Sequence, residues 1–100
     1  MRTVRLKLVT IIAEALLQDR LLDDIKRLGA RGYSVGDVSG EGSRGVRASD
    51  WEGRNVRIET VVSAPVADAI LEHLSARYFP SFAVIAWVAD VDVARGDKYV

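Results

Sequence analysis

The residues best suited to chemistry lie in one stretch, SGEGSRGVRASDWEG at 39–53. Gly40, Gly42 and Gly45 interleave there with Ser43, Arg44, Arg47 and Ser49. Glycines let successive N–H groups turn inward as a concave anion nest, Ser43 adds a hydroxyl donor, and the two arginines supply planar forks that match phosphate oxygens. The chemistry this predicts is phosphate binding. A merely solvated loop would have much the same composition. However, Arg44 and Arg47 stand either side of Gly45 in a chain whose 14 basic and 14 acidic residues cancel. Trp51 admits two readings, packing on the body of the domain or contact with another protein, because a large aromatic gains little in a solvated loop.

Elsewhere the candidates are sparse. Without Cys there is no disulfide, thiolate metal site, iron–sulfur cluster or thiol nucleophile. His73 is the one imidazole, so no His cluster holds a metal, and its place beside Glu72 and off the Ile70–Leu74 stripe reads as a surface histidine. Glu14 is either a helix N-terminal carboxylate favoured by the dipole or a ligand contact. Arg95 and Lys98 are either a charged tail or a reach toward a phosphate at the loop base. Balanced charge and a pI of about 6.6 disfavour a nucleic-acid partner. No apolar run approaches the roughly 20 residues of a membrane span, so a cytoplasmic location is expected.

The elements that must carry these residues follow from hydrophobic periodicity. Val4, Leu6 and Leu8 alternate with polar residues before Val9, Ile11 and Ile12, predicting a strand that enters a core. Leu17, Leu21, Ile25 and Leu28 form the stripe of an amphipathic helix stopped by Gly29 and Gly32. Tyr33 to Val38 reads as a short strand and Val56 to Val62 as a third. A helix capped by Ser63 carries the stripe Val66, Ile70, Leu74 and Tyr78 and ends before Pro80. Phe82 to Val93 reads as the fourth strand, apolar at every position as far as Ala89.

The order predicts one α+β domain over 1–100, a ferredoxin-like βαββαβ frame with a four-stranded antiparallel sheet and two helices on one face. Alternate residues of strand four, Ala83, Ile85, Trp87 and Ala89 against Phe82, Val84, Ala86 and Val88, are apolar on both sides, so the open face is expected to meet another copy. The loop of about 15 residues between strands two and three far exceeds the usual hairpin length, which marks it as functional or disordered. Its glycines predict mobility from Glu41 to Gly53 without a ligand.

This frame with its long loop resembles the PII signalling superfamily. GARGYSV at 29–35, GEGSRGVRAS at 40–49 and AVIAW at 83–87 are similar to segments of the PII-like SbtB proteins and their carboxysome-associated relatives. The resemblance implies a homotrimer that binds adenine nucleotides between subunits, with phosphates at the base of a T-loop at about 39–53. By position, Gly40 and Gly42 would line the turn, Ser43 and Arg44 hold the phosphate, and Arg47 close on it. Val84 stands where that family has a glycine beside the adenine. The uridylylated tyrosine of nitrogen-regulatory PII proteins and the Cys-containing tail of SbtB have no counterpart here.

The function expected is therefore a signalling module, not an enzyme, with no obligatory cofactor. AMP or ADP is the favoured ligand, with ATP, cyclic AMP and bicarbonate as further candidates. Its T-loop would dock, with Trp51 as anchor, on a protein target such as a membrane transporter for bicarbonate or a related anion, which would recruit it to the membrane. A ligand-free trimeric scaffold is the main alternative. An acylphosphatase-type enzyme would need an asparagine to place water, and Asn55 lies at the far end of the loop. An RNA-recognition module would need aromatics on strands one and three, which carry none.

Overall fold

The computed structural model describes residues 1–40 and 54–99. Strand β1 (Thr3–Glu14) is followed by a 3-10 turn (Ala15–Leu17) and helix α1 (Gln18–Leu28). Strands β2 (Ser34–Val38) and β3 (Asn55–Val62), helix α2 (Ala64–Arg77), strand β4 (Ile85–Ala94) and a 3-10 turn (Gly96–Tyr99) complete the chain. The strands form one antiparallel sheet in the order β2-β3-β1-β4. This is the expected ferredoxin-like frame.

Strand alternation sorts side chains between two faces. Val9, Ile11 and Ala13 of β1 and Val56, Ile58 and Val62 of β3 point to the covered face and are buried. Leu17, Leu21, Leu22 and Ile25 pack on them from the first helix and the turn before it, and Ala67, Ile70, Leu74 and Tyr78 from the second and its end. Right-handed crossovers place both helices on the same side. Gly29 ends α1 with φ of 126°, and a Cβ there would lie 3.0 Å from Val66, so the glycine permits both the turn and the close approach of α2.

The start of β4 differs from the sequence reading. β4 begins at Ile85 rather than Phe82, because the N–H groups of Ser81 and Phe82 donate to the Tyr78 carbonyl and that of Val84 to the Phe82 carbonyl. A turn has used the donors that a strand would need. Ser63 does occupy the N-cap of α2, but through its carbonyl, which accepts from Ala67 N–H at 3.0 Å; its hydroxyl makes no capping bond.

The other face carries Leu8, Ile12, Ile85 and Trp87, with Ile85 58% and Trp87 47% exposed. Its lower end is closed by the turn at Gly96–Tyr99, where Gly96 packs so tightly on Val4 and Leu6 that a Cβ would come within 2.7 Å of Val4. Among the described residues, nothing covers the upper end.

Candidate functional site

Strand register brings four segments to one end of the sheet. Val38 faces Asn55, Asn55 faces Glu14, and Ile12 faces Ile85, so the exit of β2, the entry of β3, the end of β1 and the start of β4 lie side by side. The 39–53 loop springs from this edge. Ala15 N–H donates to the Arg54 carbonyl at 3.3 Å, tying the turn after β1 to the loop's return.

Of the expected site residues, Gly40, Glu14 and Val84 gather here. Gly40 is exposed, with nothing within 4 Å of where a Cβ would stand. Glu14 is half-buried and closes β1 in extended conformation; its side chain makes no cap bond to the three-residue turn that follows. Val84 is half-buried and packs against the core from the connection between α2 and β4. Gly42, Ser43, Arg44, Arg47 and Trp51 lie outside the described residues, as does the expected mobility of Glu41 to Gly53.

Arg95 is elsewhere. Thr3 faces Ala94, so Arg95 stands at the opposite end of β1 from Glu14. At about 3.3 Å per residue, the two ends of that strand are roughly 35 Å apart. Arg95 is exposed and adopts φ of 62°, turning the chain into the 3-10 segment. Within one chain it does not reach the loop base.

Sequence reasoning passed over Arg54, an exposed cation immediately after Gly53, and Leu16, 59% exposed at the same edge. It also misplaced His73. That ring is only 21% exposed, and its Nε2 donates to Asp24 Oδ2 at 2.9 Å. Tyr78 Oη donates to the same oxygen and Arg27 to Oδ1 at 3.0 Å. Burial pushes the Asp24 carboxyl up, but these hydrogen bonds outweigh it and hold it at about 2. Burial, and then the neighbouring carboxylate, push the Tyr78 hydroxyl up to about 12. The available signal was the spacing of Asp24 from the apolar Leu21 and Leu28, which puts it at the border of the buried stripe.

No group of side chains among the described residues could hold a metal ion. The edge thus brings together the glycine-flanked ends of the loop, the Glu14 carboxylate, Arg54 with its carbonyl bound to Ala15 N–H, and the exposed Leu16 and Ile85, while Val84 packs into the core beneath.

The family model for Nitrogen regulatory protein P-II matches residues 6–98. The chain belongs to the P-II family. A PII-like signalling protein from Thermus thermophilus is similar to this P-II protein at 58% identity, with 100% of each chain covered and a TM-score of 0.88. CPII from Thiomonas intermedia, bound to ADP, AMP and acetate, is 25% identical, with 99% of this chain and 98% of that one covered and a TM-score of 0.86. The same protein bound to ADP and bicarbonate gives 26% identity, 99% and 98% coverage and a TM-score of 0.86. The PII-like branch expected from the sequence is the one to which these relatives belong, and its family is described as regulatory. Among the described residues, no helix is long and apolar enough to cross a membrane.

Proposed function

We propose that this P-II protein is an adenine-nucleotide-responsive regulator that takes ADP or AMP at the loop base, with ATP, cyclic AMP and bicarbonate as further ligands to be tested. The observation that carries this reading is a relative, matched over nearly the whole of both chains, that is bound to ADP with AMP or bicarbonate. Gly40, Gly42, Ser43, Arg44 and Arg47 hold the phosphates, while Glu14 and Val84 line the cleft. The single domain assembles as a homotrimer through its open face, where Ile85 and Trp87 stand exposed. Arg95, remote from the loop base of its own chain, serves the cleft of a neighbouring copy. Ligand binding orders the T-loop, and Trp51 anchors it on a protein target, which we take to be a transporter of bicarbonate or a related anion.

A calorimetric panel of AMP, ADP, ATP and cyclic AMP, with and without bicarbonate, tests the reading. Charge-assisted hydrogen bonds to phosphate contribute roughly 1.5–3 kcal/mol each, so Arg44→Ala and Arg47→Ala should each weaken binding about ten-fold to a hundred-fold. Lys26→Ala, on the exposed side of α1, should not. Both arginine variants binding like wild type would place the phosphate elsewhere.

A further inference from the structure

Tyr78 sits where α2 gives way to the connection that carries Val84 to the loop base. Its carbonyl accepts two N–H donors, from Ser81 at 3.0 Å and Phe82 at 2.8 Å, so the turn hangs on this one oxygen. Its side chain is completely buried. The ring meets that of Phe82 at 6.0 Å between centroids, and the Arg20 guanidinium lies 4.8 Å from the Tyr78 ring and 5.6 Å from that of Phe82. The hydroxyl reaches across to Asp24 in the middle of α1.

Packing alone would be served by a phenylalanine, and a carboxylate only 15% exposed is costly unless it is hydrogen-bonded. Asp24 has three donors, from His73, Tyr78 and Arg27. The bond from Tyr78 is directional, so it fixes how the tyrosine is rotated as the chain leaves α2. The direction of the Tyr78 carbonyl, and with it the path of residues 79–84, follows.

We infer that Asp24 is a positioning residue which, through Tyr78, holds the α2–β4 connection in the shape that an adenine nucleotide meets at the loop base. This rests on the nucleotide reading above. Neither residue touches the nucleotide. Both act by limiting local opening of the connection, a motion that costs far less than global unfolding.

The test combines two measurements on the intact protein, comparing wild type with Tyr78→Phe and Asp24→Asn, substitutions that keep shape and should fold. Amide hydrogen exchange at Ser81 and Phe82 should speed up roughly ten-fold in Tyr78→Phe, the size expected for losing a hydrogen bond to a charged group, while Ala30, whose N–H is bound to the Ile25 carbonyl, stays unchanged. ADP binding by calorimetry should weaken roughly five- to ten-fold in Tyr78→Phe and less in Asp24→Asn, because a neutral amide oxygen still accepts the hydroxyl, though more weakly. Unchanged exchange at Ser81 and Phe82 overturns the inference whatever the protein binds. Faster exchange with unchanged ADP affinity also overturns it, since the connection would then be held without serving the site. Wild type that takes up no adenine nucleotide overturns the functional reading and the affinity claim together, and it shows in the control rather than in the variants.

Discussion

On the covered face of the sheet Val9, Ile11, Val56 and Ile58 are closed to solvent, whereas on the other face of the same sheet Ile85 and Trp87 leave about half their surface open. Both faces are built from branched aliphatic and aromatic residues. Alternation decides which residues share a face, and the crossover rule decides which face receives the helices. What lies across an apolar face therefore determines whether it acts as core or as a surface awaiting a partner.

The largest test of this contrast is Ile58→Ala. Truncation of a fully buried isoleucine should cost about 2–5 kcal/mol of unfolding free energy, read as a lower urea midpoint with an unchanged slope. A loss under about 1 kcal/mol would mean that the covered face is loosely packed. On the other face, Trp87→Asp should leave the far-ultraviolet circular dichroism spectrum unchanged while the mass by light scattering falls from about three times 11.0 kDa to that of one chain. Persistence of the larger mass would mean that copies meet elsewhere.

A smaller effect concerns the polar seam between the helices. The Asp24 carboxyl lies near 3.8 in the unfolded chain and about 2 in the fold, so its stabilisation is complete above about pH 4 and is lost as pH falls from 4 to 2. The amount is about 2 kcal/mol, and Asp24→Asn should remove this part of the dependence in urea titrations over that range. Asp90 and Asp92 titrate in the same direction, lowered by hydrogen bonds from Lys7 and Arg5, but they are exposed. Their share should vanish in high salt, whereas that of Asp24 should persist.

The frame was legible because its signals are local. Strand alternation and helical stripes occupy a dozen residues or fewer, and Gly29 marks the end of α1 by the conformation it adopts. The start of β4 was not legible, since Phe82 to Val84 are apolar whether the N–H groups of Phe82 and Val84 pair with a strand or with the Tyr78 and Phe82 carbonyls of a turn. His73 was misread for a related reason: its partner Asp24 lies on another helix, and hydropathy within α2 carries no trace of it. At the loop base, glycine and arginine chemistry singled out the loop, and register placed Glu14 and Val84 beside it. Arg95 follows the last strand in sequence, but only the antiparallel pairing of β1 with β4 reveals that it lies at the far end of the sheet.

The central position of β1 also bears on how the protein is made. Lys7 waits for Val62, and Thr3 for Ala94, before either edge of this strand is paired. At roughly 5–20 residues per second, a ribosome leaves this long, largely apolar strand without partners for several seconds. Arg5 and Lys7 interrupt its apolar pattern, as charged gatekeepers do in segments that would otherwise aggregate. Their carboxylate partners, Asp92 and Asp90, lie on the last strand of the sheet to be synthesised, so the charges that keep the nascent strand soluble are neutralised only when the sheet can close.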